Sequence, residues 1–321
     1  MRALVTGVSG FVGGHLSEHL FASGDQVVGI SKSGRWPADL AEIGRSARIE
    51  RFDLLEDDPA DLAALIRRKQ PEAIYHLAAQ SNPQASMADP RGTWALNLGG
   101  ALNLLEAVKA AGLEQSPRIV LVGSGVCYGS PAPEHVPVSE SCPLRPNNPY
   151  AASKAAADLL GIQNHLTDKL DVVVVRPFNH AGPRQSPRYV LATLAQQVVE
   201  VEQGRKECVE VGNLEVVRDY TDVRDVVRGY RMLAERGRAG EVYNLGSGLG
   251  LKLTDAVRRL TELAARPIEV RVDPARVRPV DLPLLVADPS KIKAETGWAP
   301  IYSIDQTLKD MLESFRGAAR S

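Results

Sequence analysis

The sequence predicts a doubly wound α/β protein: a parallel sheet covered by helices on both faces, with a smaller, interleaved C-terminal lobe. Three observations carry this. Short, continuously apolar runs recur along the chain, turn residues and a stretch of helical spacing follow each of them, and a glycine-rich turn separates the first strand from the first helix. Strands buried on both faces read as unbroken apolar runs rather than alternating ones. With 321 residues, 44% of them hydrophobic and 24% charged, the chain is long enough for about two domains with a substantial core. Lys and Arg number 38 against 39 Asp and Glu, a formal charge of −1, which argues against nucleic acid as a partner.

The first strand, 3–5, runs into Thr6-Gly7-Val8-Ser9-Gly10-Phe11-Val12-Gly13 and a helix over 11–22. Glycines there let the backbone approach a pyrophosphate held by helix N-terminal N–H groups and the helix dipole. The plainer reading, a tight turn with nothing bound, is weakened by the strand–turn–helix context. The second strand, 26–30, ends at Ser31-Lys32-Ser33-Gly34-Arg35. An acid at this place would bond the ribose hydroxyls of NAD and repel a 2′-phosphate, so serine with Lys32 and Arg35 nearby favours NADP or use of both cofactors. The alternative is that both cations are solvated loop charges. A strand over 48–52 ends at Asp53, a candidate adenine contact or a surface-turn aspartate.

A helix over 59–69, a strand over 73–77, a helix over 97–111 and a strand over 118–122 follow, the last reaching Ser124. The next helix, 149–167, opens with Asn148 as cap and Pro149 at its first position, which sets Tyr150 and Lys154 at i and i+4 on one face. An ammonium beside a phenol favours the phenolate and brings a group of ordinary pKa near 10 toward the working range. Ser124 is placed to hydrogen-bond the same substrate oxygen. After the strand at 172–175 the rhythm loosens, with frequent Pro and Gly, helices over 190–204, 222–235, 254–265 and 304–315, and one late strand over 241–245. The expected division is 1–178 plus 217–247 as a dinucleotide-binding domain, and 179–216 plus 248–321 as a substrate lobe.

Cys127, Cys142 and Cys208 are too few and scattered for a disulfide framework, and there is no Cys-x-x-Cys pair. No apolar run approaches the roughly 20 residues that cross a bilayer. The first apolar stretch runs straight into the glycine turn, unlike a signal peptide. The expectation is a cytoplasmic protein without a membrane partner.

Several segments together resemble the extended short-chain dehydrogenase/reductases that act on nucleotide-activated sugars, over essentially the whole chain. They are the glycine turn, His76-Leu77-Ala78-Ala79-Gln80-Ser81, Asn97 in Asn-x-x-Gly-x-x-Asn-x-Leu, the 124–129 segment and Tyr150-x-x-x-Lys154. Arg176-Pro177-Phe178-Asn179-His180, Arg218-Asp219-Tyr220-Thr221-Asp222-Val223 and Asp288-Pro289-Ser290-Lys291 complete the set. The resemblance implies a Rossmann domain with bound NADP or NAD, hydride transfer at a hexose C4, and a nucleotide diphosphate held by the C-terminal lobe. It implies Tyr150 as acid/base, with Ser124, and Lys154 on the nicotinamide ribose and the phenol. Cofactor contacts are implied at Gly7, Ser9, Gly10, Phe11, Val12, Gly13, Ser31, Lys32, Arg35, Asp53, Leu54, Leu77, Ala78, Ala79, Asn97 and Pro177 besides Tyr150 and Lys154. Substrate contacts are implied at Gln80, Ser81, Ser124, Asn179, Val190, Arg218, Arg278 and Asp281, with Arg276 a further candidate for the diphosphate, and no metal is implied. A homodimer through the helices at 97–111 and 149–167 is implied as well.

Phe178 to Pro187 and Val211-Gly212-Asn213-Leu214-Glu215 look most like the GDP-mannose branch, which holds both dehydratases and reductases. Eliminating water across C5 and C6 requires an additional acid/base, and dehydratases of the branch carry a glutamate two residues beyond the catalytic Ser or Thr. Here that residue is Val126, which transfers no proton. The implied activity is reduction of the C4 ketone of a GDP-4-dehydro-6-deoxy-hexose. A dehydratase using Glu140 or another acid, and a 4-epimerase with tightly bound NAD, stay open; a non-enzymatic sensor would usually have lost Tyr150 or Lys154. Cys127 is read as a core residue facing away from the site, because successive side chains of an extended segment point to opposite sides. His15 and His76 are given no special role, and His180 is given a structural hydrogen bond.

Overall fold

Four consecutive valines show how the large sheet is covered. Val173 and Val175 enter one hydrophobic core while Val172 and Val174 enter another, and Ala3 and Val5 part from Leu4 in the same way. Side chains alternate across a strand, so a run apolar at every position needs helices on both faces. The structure, a computed structural model, describes residues 1–37, 40, 47–276 and 282–318.

Seven parallel strands form the large sheet: β1 (Arg2–Thr6), β2 (Gln26–Ser31), β3 (Arg48–Arg51), β4 (Ala73–His76), β5 (Arg118–Val122), β6 (Val172–Pro177) and β10 (Val242–Leu245). Their order is β10-β6-β5-β4-β1-β2-β3. The order reverses between β1 and β4, where Thr6 pairs with both Ile30 and His76. In open α/β sheets such a switch point, at the carboxyl ends of the strands, is where ligands bind.

On one face lie α1 (Phe11–Ala22) and α8 (Val223–Arg236), packed through Leu16, Leu20, Val226, Tyr230 and Leu233. On the other, α2 (Pro59–Lys69) and α5 (Gly100–Ala111) bury Leu62, Ile66, Leu104 and Leu105. The sequence explains the helix ends. Asp58 caps α2 through the Ala60 N–H, with Pro59 at the first position. Asn148 caps α6 (Pro149–Asp168) through the Ala151 N–H, with Pro149 at the first position. The helix expected over 97–111 begins earlier, as α3 (Pro83–Ala88), α4 (Pro90–Trp94) and a π-helical turn (Ala95–Gly99) leading into α5.

The small lobe is built on α7 (Val190–Glu202), α9 (Leu253–Glu262) and α11 (Ile304–Ala318), whose Leu191, Val198, Leu260, Leu308 and Met311 share a core. It holds β7 (Asn179–Ala181), β9 (Val217–Asp222), β11 (Gly250–Lys252) and β13 (Leu284–Leu285), and the separate pair β8 (Cys208–Val211) with β12 (Glu269–Val272).

Two segments depart from the expected division. The piece expected to return to the large sheet at 217 begins with β9, which pairs instead with β7, β11 and β13; the return starts at α8, and β10 takes the edge beside β6. Conversely, α10 (Ser290–Thr296) and Trp298, expected in the substrate lobe, pack on the large-sheet side, where Ile292 and Trp298 are fully buried. Trp298 Nε1 donates to Asp225 O at 2.9 Å, and Asp225 Oδ2 accepts the N–H groups of Ile301 and Tyr302.

Candidate active site

A cavity of about 620 Å³ opens at the switch point and extends into the small lobe. Its first wall is the glycine turn. Gly7 stands at φ +69°, and a Cβ on it would come within 2.8 Å of Ala78 N; a Cβ on Gly13 would lie 2.4 Å from Gly7 O. Glycine alone keeps the turn flat against β4. Gly10 precedes α1 with no side-chain cap, so the first N–H groups of that helix face the cavity without a competing side chain. Phe11 stacks on the His180 ring with centroids 6.3 Å apart, while His180 Nδ1 bonds Phe178 O at 3.0 Å, the structural bond expected of it.

Ser124 stands two residues beyond β5 and caps the 3-10 turn Gly125–Tyr128. It lines the cavity together with Tyr150, which α6 brings there. Burial holds the Tyr150 hydroxyl well above the usual tyrosine range, with the neighbouring Ser124 hydroxyl as the opposing influence. The expectation that Lys154 would lower it is not met in this geometry. The Lys154 ammonium donates to Val122 O at 2.7 Å, and burial lowers its own pKa to about 8 against the pull of Asp158.

Val126 lines the cavity next to Ser124, whereas Cys127 is fully buried, its Sγ on Ala151 O and its thiol pushed up to about 12 by burial. The two side chains part as expected, but through a 3-10 turn rather than an extended segment. Glu140, the acid named as an alternative, lies outside the cavity lining, where its carboxylate accepts the Asn244 N–H at 2.7 Å.

Asn97, on the π-helical turn, is a buried clasp. Its Oδ1 accepts the Gln80 N–H at 2.8 Å and its Nδ2 donates to Ser153 Oγ at 2.9 Å, tying the end of β4 to the helix that carries Tyr150 and Lys154. Single π-helical turns of this kind recur at functional sites.

Among the residues singled out from sequence, the cavity gathers Gly7, Ser9, Gly10, Phe11, Val12, Gly13, Leu77, Ala78, Ala79 and Pro177 on the large-sheet side. It gathers Ser81, Ser124, Tyr150, Asn179, Val190, Arg218 and Arg276 as well. Gln80 turns its side chain onto Asn82 instead. Leu54 is a core residue. Ser31, Lys32, Arg35 and Asp53 lie at the ends of β2 and β3, outside the cavity lining; Lys32 and Asp53 form an ion pair of 2.7 Å that lowers the Asp53 carboxyl. Arg278 and Asp281 lie outside the described residues.

Sequence reasoning missed part of the far wall. Ser81 Oγ and Tyr189 Oη meet at 2.9 Å. Gln197, the buried one of the two adjacent glutamines of α7, exchanges two hydrogen bonds of 3.0 Å with the Glu210 backbone. The Glu210 carboxylate, held down in pKa by Lys206 and Arg276, is the acid on this side of the cavity among the described residues. With Gln196 beside it, Gln197 carried no signal of its own in the sequence.

Residues 4–311 match the family model described as GDP-mannose 4,6 dehydratase. The chain is 36% identical to GDP-6-deoxy-D-mannose reductase of Pseudomonas aeruginosa, covering 99% of this chain and 98% of that protein. It is 27% identical to GDP-mannose 4,6-dehydratase of Yersinia enterocolitica, over 97% and 92%. Among solved structures, that of RMD from Pseudomonas aeruginosa complexed with NADPH superimposes with a TM-score of 0.86 at 34% identity, covering 99% of this chain and 100% of that one. UDP-glucose 4-epimerase of Thermus thermophilus in complex with NAD gives 0.86 at 31%, with the same coverage. A seven-stranded sheet with its switch point at a glycine turn, Ser124 and Tyr150 lining one cavity, and similarity along the full length place this chain in the GDP-mannose 4,6-dehydratase family of extended short-chain dehydrogenase/reductases.

Proposed function

We propose that the protein reduces the C4 ketone of a GDP-4-dehydro-6-deoxy-hexose with NADPH or NADH. Val126 carries this reading: the residue lining the cavity beside Ser124 and Tyr150 has no proton to move, so acid/base groups converge on one carbon rather than two. The similarity to the Pseudomonas aeruginosa reductase supports it.

The glycine turn fits a dinucleotide pyrophosphate, because Gly7 and Gly13 leave open the space a Cβ would fill and α1 offers uncapped N–H groups. When bound, the nicotinamide supplies the hydride. Ser124 orients the ketone by donating to its oxygen. Tyr150, whose proton burial retains, donates to the same oxygen as negative charge develops there. Lys154 contributes positive charge behind Tyr150. Asn179, Arg218 and Arg276 are assigned to the diphosphate, since guanidinium forks suit phosphate oxygens. Lys32 and Arg35, both exposed at the end of β2, are the groups a 2′-phosphate would meet. Leu159 and Leu166, 61% and 63% exposed on α6, with Leu102 on α5, form the surface assigned to a homodimer. No helix among the described residues is long and apolar enough to cross a membrane.

Adding GDP-4-dehydro-6-deoxy-mannose to the protein with NADPH or NADH should consume the nicotinamide stoichiometrically, followed by absorbance. No consumption, with NAD retained through purification and an isomerised sugar nucleotide as product, would establish the 4-epimerase instead. Gly13→Ala is expected to weaken NAD(P)H binding at least about tenfold, a loss of roughly 1.4 kcal/mol, in a fluorescence titration, because the added carbon has no space beside Gly7 O.

A further inference from the structure

Beneath the Ser124 end of β5, charged side chains are packed out of solvent. Asp158 is 0% exposed on α6, one turn beyond Lys154. Arg176 of β6 donates from Nε to Asp158 Oδ2 at 2.8 Å and from Nη1 to Tyr128 Oη at 2.9 Å, and that hydroxyl donates to Asn244 Oδ1 at 2.8 Å. Within this chain of bonds Asp158 Oδ1 has no hydrogen-bond partner among the described residues. It lies against the backbone of Gly123, where a Cβ would fall 2.3 Å from it. Lys154 Nζ meets the carbonyl of the preceding residue, Val122, at 2.7 Å. The ammonium and the carboxylate thus leave one helix face for adjacent residues of the same strand end.

A buried Arg–Asp pair adds little net stability over apolar side chains of similar volume, and an unbonded carboxylate oxygen adds a further cost. The charge therefore calls for a role other than holding the sheet together. We propose that Asp158, fixed by Arg176, is a positioning residue that keeps Lys154 charged and aimed across the end of β5. Its consequence for turnover rests on the reading of Tyr150 and Lys154 given above; the coupling itself rests on the i, i+4 spacing of Lys154 and Asp158 on α6 and on the adjacent residues, Val122 and Gly123, that the two buried groups meet.

The other groups facing Lys154 do not supply this charge. Cys127, on the turn after β5, keeps its proton with a pKa of about 12, and His76, at the end of β4, is neutral with a pKa of about 3. Tyr150 on the same helix is protonated, and the cation of β6, Arg176, is spent on Asp158 and Tyr128. Burial already lowers Lys154 to about 8, and Asp158 is the first influence that opposes it.

The test is a titration of the Lys154 side-chain carbon resonance in protein labelled at lysine, assigned with Lys154→Met. In Asp158→Asn the midpoint should fall by at least about one pH unit, and Asp158→Glu should restore it to within about half a unit. Should Asp158→Asn not fold, Asp158→Asn/Arg176→Met removes both buried charges together and should still lower the midpoint, by less than the loss of Asp158 alone because a cation goes with it. In the unaltered protein the Lys154 resonance should carry a second, smaller inflection as Asp158 takes its proton at about 6. An unmoved midpoint in a folded variant, or a flat acid limb in the unaltered protein, overturns the proposal. The alkaline limb of kcat should move with the midpoint while KM stays. Absent nicotinamide consumption by the unaltered protein, with the titration shifts intact, would reject the reductase reading and leave the coupling standing.

Discussion

Tyr150→Phe is expected to lower kcat by roughly 10²–10⁴-fold, the range for losing one positioned general acid, with KM for the sugar nucleotide nearly unchanged. The substitution removes one oxygen and keeps the ring, so the cavity wall, the Asn148 cap and the Asn97 clasp all survive. What is lost is the proton. Burial holds it on Tyr150 in the resting protein, and it leaves only when a stronger base, the oxygen forming at C4, arrives within reach. Ser124 remains and still orients the ketone, but its hydroxyl is a far weaker acid. Because the lost interaction is made mainly as charge develops, the effect falls on turnover rather than binding. Following NAD(P)H consumption over a range of substrate concentrations separates the two, and near-normal turnover would remove Tyr150 from its assigned role.

Trp298→Ala should destabilise the protein by about 3–5 kcal/mol, the usual cost of truncating a large buried aromatic. Trp298 is fully buried against the α8 side of the large sheet, with Gly229 leaving room for its ring; a Cβ on Gly229 would lie 3.1 Å from Trp298 Nε1. The cost has two parts, an apolar cavity and the loss of the donor to Asp225 O. Asp225 also receives the backbone of Ile301 and Tyr302 and pairs with Arg228 at 2.7 Å, so the damage spreads to the chain entering α11. Urea denaturation gives the difference directly. A change below about 1 kcal/mol, typical of a surface site, would mean that 290–298 does not belong to the large-sheet core.

The large sheet was legible in the sequence because its central strands are buried on both faces and read as apolar runs, as at Val172 to Val175, whereas the edge strand β3 is Arg-Ile-Glu-Arg. Tyr150 and Lys154 were legible because helical spacing fixes their relation once Asn148 and Pro149 mark the start. The short strands of the small lobe were not. β7, β11 and β13 have three, three and two residues, too few to show alternation, and β9 mixes Arg218, Asp219 and Thr221 into a buried position. Gln80 illustrates a different limit: sequence placed it beside the cavity, and local bonding to Asn82 then turned its amide away. Trp298 was missed because only a tertiary contact, with a helix that starts some seventy residues earlier in the chain, tells which core it joins.

The path of the chain has a mechanical meaning. It passes from the large sheet to the small lobe after Pro177, returns after Asp222, leaves again after Leu245, comes back for Ser290 to Trp298, and departs once more into α11. Domains joined by one or two strands of backbone swing on a hinge, whereas lobes stitched at so many points are limited to small sliding displacements of packed helices. Access to the cavity is therefore by its open rim, and whatever tightening follows ligand entry is shared among all the stitches rather than concentrated in a single joint.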